Sequence, residues 1–417
     1  MKKYFVLLIF FIVRSLVIAQ VPDKYVILVI IDGARYSETL GDSSGQFIPR
    51  MKSLSLQGVV IDSFINDGVT VTKRGVPAIW CGSWSQPKDT IINGFSTQYA
   101  TVPTVWEYFR KTHSVNQTQA MYILKNLNGP WLPSFHPDYG ESFWPWYILE
   151  GERDINVWLN AKSKLETYHP RLSVIYLADV DHFAHSGNWQ SYTNSIMIAD
   201  SIVGLLWDFV QKDSSFKNKT NIFITNDHGR HLNGISSGFI GHGDGCWGCR
   251  HIMFLAIGND VKRGIRYNIK KTIPDIVPTI GKILNFSTPY SSGSVMTEIL
   301  TEYVSVETRT TTKSFLLFQN YPNPFNACTN IKYHLPASSV ANRQAGIPNT
   351  NNVTLKVYDI LGREVAVLVD EVKEPGSYEV KWTIVRQPTD RQLPSGVYIY
   401  RVTAGDFVST KKMILQK

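Results

Sequence analysis

The amino-acid sequence predicts an α/β domain with a mostly parallel sheet flanked by helices, followed by a small all-β sandwich domain. Three runs of β-branched and apolar residues, at 25–31, 172–177 and 221–225, are typical of strands buried on both faces. Residues 189–210 carry apolar side chains at helical spacing, which gives a strand–helix–strand order. Beyond residue 350, apolar and polar side chains alternate, as in antiparallel strands.

The composition indicates a folded protein of two domains. The chain has 417 residues, of which 43% are hydrophobic and 18% charged, far from the profile of a disordered chain. Its 42 Lys and Arg residues outnumber its 34 Asp and Glu residues, and the net charge of +8 favours anionic ligands. No dense Lys or Arg run accompanies this charge, so we expect no nucleic-acid readout.

The N-terminus has the pattern of a secretory signal peptide. Two lysines precede an apolar run at residues 5–13, and small or branched residues precede a cleavage site after Ala19. Arg14 interrupts the apolar stretch, which disfavours a transmembrane span, although an uncleaved anchor is the alternative. We expect residues 1–19 to be a signal peptide and the protein to be secreted or exposed on the outer cell surface.

An exported protein can form disulfides, and this chain has cysteines at 81, 246, 249 and 328. Cys246 and Cys249 could close a small disulfide loop, or could be a redox or zinc pair. A zinc knuckle needs a second pair nearby in sequence, and none exists. We therefore expect a local disulfide or two plain thiols.

The remaining elements set the expected domain limits. Residues 251–257 favour a strand, and Pro274 lies in the first turn of a helix that ends near Leu284. We expect the first domain to cover residues 20–301. A threonine-rich linker at 302–313 follows it.

Residues 314–417 are expected to form the sandwich. Period-2 alternation occurs at residues 353–358 and 378–382, and Pro-Gly and Ser-Gly turns separate the short strands.

Acidic residues follow each of the three buried strands. Asp32 follows the first, Asp179 and Asp181 follow the second, and Asp227 follows the third. Because ligands of open α/β sheets bind at the carboxyl ends of the strands, we expect these carboxylates to lie together. Each one alone could be only a helix cap.

Histidines accompany these carboxylates at spacings that suit metal binding. His185 lies one helical turn after Asp181, His228 directly follows Asp227, and His242 stands between two glycines. Carboxylate and imidazole ligands without thiolate suit zinc or manganese, and are too rich in nitrogen for calcium. A lone histidine is usually an ordinary surface or core group, but the joint occurrence predicts a two-metal site of the kind used for displacement at phosphorus.

A nucleophile is expected close to the metals. Thr70 and Thr72 precede a predicted helix in which Pro77 is tolerated near the start. A hydroxyl at a helix N-terminus feels the positive end of the helix dipole, and a metal ion would lower its pKa. The alternative is that Thr72 only caps the helix.

Residues 130–147 contain several aromatic side chains in a segment rich in proline and glycine. Such a loop could stack a base, a sugar or a lipid head group over the metals. It could also simply cover the sheet.

These residues together resemble the alkaline phosphatase superfamily, most closely its type I phosphodiesterases and nucleotide pyrophosphatases. The resemblance covers about residues 20–300 and implies an alkaline phosphatase-like fold. Its motifs occur in order: a strand ending in Asp32, Thr72 ten residues before Gly82, Asp181-x-x-x-His185, Asp227-His228-Gly229, His242-Gly243, and Asp275 to Thr279.

By this resemblance, two divalent metal ions, zinc with manganese as the alternative, would be held by two sets of ligands. They are Asp32, Thr72, Asp227 and His228 for one ion, and Asp181, His185 and His242 for the other. Thr72 would attack phosphorus and form a phospho-threonine intermediate. Asn93 stands where the family places an Asn that hydrogen-bonds a phosphoryl oxygen, although a plain turn residue is the alternative.

The implied function is the hydrolysis of a phosphate ester, either a monoester, a diester or a nucleotide. Lys73 and Arg74 beside the nucleophile are candidate substrate-binding residues that could hold the extra charge of a monoester, or could be solvated. A sulfatase of the same superfamily is a rival, but Cys81 lacks the Pro and Arg that formylglycine formation requires. A catalytically inactive surface binding protein on the same fold is the other alternative.

The C-terminal segment resembles the type A sorting domain of type IX secretion. The resemblance is carried by residues 318–326, 357–365, 394–401 and 411–417. It implies export through the Sec system and then the type IX secretion machinery. From the residues alone, the sandwich could instead bind carbohydrate.

Overall fold

The computed structural model describes residues 21–92, 94–125, 131–301, 316–320, 323–335, 351–373, 376–384, 393–405 and 407–416. The chain divides into two compact units, residues 1–303 and 304–417. The predicted signal peptide and linker lie outside the described residues.

The first unit contains alternating strands and helices. Its strands are β1 Tyr25–Ile31, β2 Val59–Ile65, β3 Lys88–Ile92, β4 Phe95–Tyr99, β5 Ala120–Leu124, β6 Trp146–Leu149, β7 Leu172–Leu177, β8 Thr220–Thr225, β9 Phe254–Gly258 and β10 Ile265–Thr272. Its helices are α1 Pro49–Ser55, α2 Thr72–Cys81, α3 Val105–His113, α4 Asp154–Tyr168, α5 Asp179–His185, α6 Trp189–Lys212, α7 Trp247–Arg250 and α8 Ile276–Ile283.

Eight of these strands form one sheet in the order β10-β2-β9-β8-β1-β7-β5-β6. Neighbouring strands run parallel except β9, which is antiparallel to both β8 and β2. Strands β3 and β4 form a separate antiparallel hairpin. The predicted mostly parallel sheet is confirmed.

The uninterrupted apolar sequence of β1 follows from its central position. Its even-numbered residues, such as Leu28, pack into a core with α2, α3 and α8, while odd-numbered residues, such as Val29, pack into a second core with α1, α4 and α6. Both faces of the strand are therefore covered by helices. A polar side chain at any position would be placed in an apolar core, which costs free energy.

Helix α6 covers one face of the sheet. Asn188 caps its N-terminus by accepting a hydrogen bond from the Ser191 N–H at 2.9 Å. It is the one helix of the described residues that is long and apolar enough to span a membrane, and 61% of its most apolar window is buried inside the protein. Such burial is what the core helix of a globular domain requires.

The carboxyl ends of β7, β1 and β8 meet at one edge of the sheet. Ile31 pairs with Leu177, and Ile30 pairs with Thr225, so the residues that follow the three strands start at the same level. The predicted helix near residue 274 begins with a 3₁₀ turn at Ile273–Asp275 and continues as α8.

The second unit contains only strands in its described residues. They are β11 Leu316–Leu317, β12 Cys328–Leu335, β13 Asn351–Tyr358, β14 Glu364–Lys373, β15 Gly376–Thr383, β16 Gly396–Ala404 and β17 Phe407–Leu415. Two antiparallel sheets, β11-β12-β15 and β14-β13-β16-β17, share one apolar core. In β13, Val353, Leu355 and Val357 point into this core, which confirms the period-2 prediction.

Candidate active site

The acidic residues that follow the three central strands lie together. Asp32, Asp227 and His228 bring their ligating atoms within 4.8 Å of one another, and all three are buried. The Nε2 atom of His228 lies 3.5 Å from Asp32 Oδ1 and 3.4 Å from Asp227 Oδ2. This is the first of two ligand clusters.

Thr72 faces this cluster from the start of α2. Val71 occupies the N-cap position, so Thr72 is the first helical residue and its hydroxyl does not cap the helix. Thr72 Oγ1 lies 3.0 Å from His228 Nε2 and 3.4 Å from Asp32 Oδ1. Thr70 has another role, because its hydroxyl accepts a hydrogen bond from the Gly245 N–H at 3.2 Å.

The second cluster adjoins the first through His228. Asp181, His228 and His242 again bring their ligating atoms within 4.8 Å of one another. His185 Nε2 lies 3.4 Å from Asp181 Oδ2 and 3.1 Å from His242 Nε2. All seven predicted ligands, including Thr72, therefore meet at this sheet edge.

Burial and charge shift the pKa values of these groups. Burial, together with the carboxylates of Asp227 and Asp181, raises the pKa of Asp32 well above its usual range. Burial and the neighbouring His228 lower the pKa of His242 to about 4. Carboxylates packed this closely repel one another, so the site favours a cation among them.

The donor set fits two divalent metal ions. Asp227 Oδ2 is buried and accepts no hydrogen bond within the described residues, so this oxygen can bind a metal ion. His242 Nδ1 lies 3.0 Å from the Thr70 carbonyl, which leaves Nε2 facing the second cluster. Carboxylate and imidazole donors of this kind suit zinc or manganese.

Two residues that support the ligands could not be inferred from local sequence. Tyr176 donates a hydrogen bond from its hydroxyl to Asp32 Oδ2. Arg230 is fully buried, donates from Nη2 to Asp181 Oδ1, and donates from Nε to the Gly33 carbonyl at 2.9 Å. Tyr176 lies in a predicted strand and Arg230 directly follows the Asp227-His228-Gly229 motif, but their partners are far away in sequence.

An open cleft of about 570 Å³ lies over the two clusters. Its walls include Thr72, Lys73, Lys125, Trp131 and His182. The cleft therefore combines two lysine side chains and an indole ring with the ligand clusters. This combination suits an anionic substrate that carries an aromatic ring.

The aromatic segment mostly packs on the protein itself. Phe135 makes edge contacts with Tyr99 and Trp144, and Tyr139 packs against Tyr108. Trp131 is the member of this segment that lines the cleft.

Other predicted site residues have different surroundings. Lys73 lines the cleft, whereas Arg74 is half-buried and its Nη1 has no hydrogen-bond partner within the described residues. Asn93 lies outside the described residues. Asp179 does not join the clusters, because Lys125 and Arg153 bind its carboxylate at 2.9 and 2.8 Å.

A mostly parallel sheet with paired Asp and His clusters beside a threonine agrees with the predicted resemblance to the alkaline phosphatase superfamily. Residues 83–232 match the family model described as type I phosphodiesterase / nucleotide pyrophosphatase, and residues 319–416 match the secretion system C-terminal sorting domain. Residues 83–232 are thus similar to this phosphodiesterase family, and the match of the C-terminal residues to the sorting domain indicates export by type IX secretion. The matched phosphodiesterase segment contains Asp181, His185, Asp227 and His228, but not Asp32, Thr72 or His242.

Solved structures with the same fold include murine ectonucleotide pyrophosphatase / phosphodiesterase 5. It aligns with a TM-score of 0.51 at 13% identity, over 67% of this chain and 100% of the murine chain. An inactive threonine-to-alanine variant of that protein in complex with AMP gives a TM-score of 0.50 at 13% identity, with coverage of 67% and 100%. An alkaline phosphatase superfamily protein from Vibrio parahaemolyticus gives 0.47 at 15% identity, covering 84% of each chain. Comparison with curated proteins finds no significant match.

Proposed function

We propose that residues 20–301 form a two-metal hydrolase of phosphate esters that acts through Thr72. The observation that carries this proposal is the position of the Thr72 hydroxyl, 3.0 Å from His228 and 3.4 Å from Asp32, at the start of a helix. Asp32, Thr72, Asp227 and His228 would hold one ion, and Asp181, His185 and His242 the other.

In this mechanism the Thr72 oxygen attacks phosphorus and the bond from phosphorus to the alcohol breaks. Thr72 loses its hydroxyl proton, the leaving alcohol gains one, and a phospho-threonine remains. Water then cleaves that ester, which returns the threonine hydroxyl and releases phosphate or a phosphomonoester. Bound divalent ions would supply the positive charge that stabilises the threonine alkoxide and the leaving oxygen.

The protein's own groups position the reacting atoms. The first N–H groups of α2 have no intrahelical partner and direct the positive end of the helix dipole at the oxygens of the phosphoryl group. Lys73 in the cleft would bind negative charge of the substrate, and Trp131 would contact an attached ring. Lys125 also lines the cleft, but its ammonium group is bound by Asp179. Asn93 remains a candidate donor to a phosphoryl oxygen.

The murine relative supports a nucleotide-like substrate, because its inactive threonine-to-alanine variant was obtained with AMP. A sulfatase mechanism through Cys81 has no support in the geometry, because Cys81 is fully buried at the end of α2. We further propose that residues 314–417 are the sorting domain and that residues 1–19 are removed as a signal peptide.

The test is hydrolysis of p-nitrophenyl phosphate and bis-p-nitrophenyl phosphate by the zinc-loaded and the manganese-loaded protein. Thr72→Val keeps the shape of the side chain but removes the nucleophile, and we expect loss of at least about a thousand-fold in kcat. Thr72→Ser keeps a hydroxyl and should retain measurable turnover. Full activity of Thr72→Val would contradict the proposed nucleophile, and failure of both substrates with both metals would favour the inactive binding protein.

A further inference from the structure

A third group of metal-binding side chains lies beside the candidate active site. It consists of His231, Asp244, Cys246 and Cys249, whose ligating atoms all lie within 4.8 Å of one another. The two Sγ atoms are 3.3 Å apart, and His231 Nε2 lies 3.2 Å from Asp244 Oδ2. A tetrahedral zinc site, with bonds of about 2.3 Å to sulfur and about 2.0–2.1 Å to nitrogen and oxygen, separates its ligand atoms by roughly 3.3–3.8 Å. The cluster therefore has nearly the dimensions of a zinc site.

His231 is oriented toward this cluster. Its Nδ1 lies 3.1 Å from Ser237 Oγ, so a hydrogen bond there leaves the lone pair of Nε2 on the side of the cysteines. The residue is only 5% exposed, and Nε2 makes no hydrogen bond within the described residues. Nε2 therefore lies 3.2 Å from the Asp244 carboxylate without the geometry of a hydrogen bond, and a metal ion between the two groups would bind both.

The backbone holds the two cysteines in place. Cys246 occupies the N-cap position of the single turn of α7, and Cys249 follows three residues later with no exposed surface. The Cys249 carbonyl accepts a hydrogen bond from the Gly229 N–H at 2.8 Å. A Cβ atom on Gly248 would lie 2.4 Å from the Arg230 carbonyl, so this turn packs directly on the loop that leads to His231.

We propose that His231, Asp244, Cys246 and Cys249 bind a structural zinc ion, separate from the two ions of the candidate active site. Two thiolates, one imidazole and one carboxylate form a complete set of four ligands for zinc, with no position left for a substrate. The second pair of ligands is a histidine and an aspartate rather than a further pair of cysteines.

The position of this ion gives it a defined role. His231 follows the candidate ligand His228 by three residues, and Asp244 follows His242 by two. An ion bound by both segments would fix the two histidines relative to each other without touching the substrate. The site would be a positioning element for the second cluster, and metal binding would also stabilise the fold.

Cobalt substitution distinguishes this site from the other two. The candidate active-site ligands include no thiolate, so a thiolate-to-cobalt charge-transfer band in the near ultraviolet reports this cluster alone. We expect the band in the full-length wild-type protein loaded with Co²⁺. We expect the same band in Cys328→Ser, which changes a thiol outside the cluster. The band should be lost in the Cys246→Ser, Cys249→Ser double variant.

Zinc content and thiol reactivity complete the test. The zinc-loaded double variant should contain one zinc ion fewer per chain than wild type and Cys328→Ser. In wild type, Cys246 should react with a thiol reagent only after chelation, a result that does not require any variant to fold. Absence of the band in wild type, or a Cys246–Cys249 disulfide found by peptide mapping of the secreted protein, would overturn the proposal.

Discussion

Gly75→Ala tests whether contact between α2 and the Asp227 backbone sets the position of Thr72. A Cβ atom at Gly75 would lie 2.7 Å from the Asp227 carbonyl oxygen and 2.9 Å from Asp227 Cβ. Ordinary contact begins at 3.4 Å, so the helix must move by about 0.7 Å, the difference between 3.4 and 2.7 Å. The neighbour is backbone and cannot rotate away. The start of α2, with Thr72, must therefore shift relative to Asp227 and His228.

The magnitude follows from two opposing terms. Overpacking lowers the free energy of unfolding by about 1–3 kcal/mol, and the better helix propensity of alanine raises it by about 1 kcal/mol. We expect a net destabilisation of about 0–2 kcal/mol in urea unfolding. Activity should fall more steeply, by roughly ten- to a hundred-fold in kcat/KM, because a displacement of about 1 Å can cost a hundred-fold.

Gly204→Ala is the matched control, because Gly204 also lies within a helix. Its Cβ would meet Arg50 Nε at 2.3 Å, but the Arg50 side chain is 46% exposed and can move away. We expect unfolding free energy within about 1 kcal/mol of wild type, with kcat/KM unchanged. Wild-type activity in Gly75→Ala, or an equal loss in Gly204→Ala, would refute the reasoning.

Three further predictions concern a buried glutamate of α3 and two residues of the candidate site. Burial raises the pKa of Glu107 from 4.5 to about 7, so this group lowers stability as the pH rises from about 4.5 to 7. This contribution amounts to about 3 kcal/mol, and urea unfolding of Glu107→Gln should lack it; equal pH dependence in both proteins would contradict the assignment. Arg230→Lys should weaken metal binding about ten- to a hundred-fold in competition with a chelator, because Asp181 loses its buried guanidinium; unchanged affinity would contradict that role. Lys73→Ala should raise KM for p-nitrophenyl phosphate by about ten-fold and Arg74→Ala should not, since Lys73 alone of the two lines the cleft; the reverse order would contradict the placement.

The sequence predicts best those elements whose apolar pattern is long and unbroken. Strands β1, β7 and β8 and helix α6 are confirmed with bounds within two residues. The apolar runs of the strands and the helical spacing of α6 continue over the whole length of each element. Edge strand β10 was missed, although Ile265, Tyr267 and Ile269 alternate with polar residues as in a half-buried strand. Strands β5 and β6 are short, and their burial depends on tertiary neighbours.

The candidate ligands could be predicted because each follows a strand or belongs to a short motif. The groups that hold them could not, because Arg230 reaches Asp181 and Tyr176 reaches Asp32 only through the fold. The histidine–aspartate pair of the proposed zinc cluster was also missed. A search for a second cysteine pair cannot detect two different ligand types separated by a loop.

The most direct test of the central claim is a search for phosphate on Thr72 during turnover. The metal-loaded protein is mixed with bis-p-nitrophenyl phosphate or p-nitrophenyl phosphate, quenched in acid, digested and analysed by mass spectrometry. We predict a phosphoryl adduct on the peptide that contains Thr72 in wild type, and neither adduct nor turnover in Thr72→Val. Steady turnover by Thr72→Val, or a covalent adduct on another residue, would contradict the account.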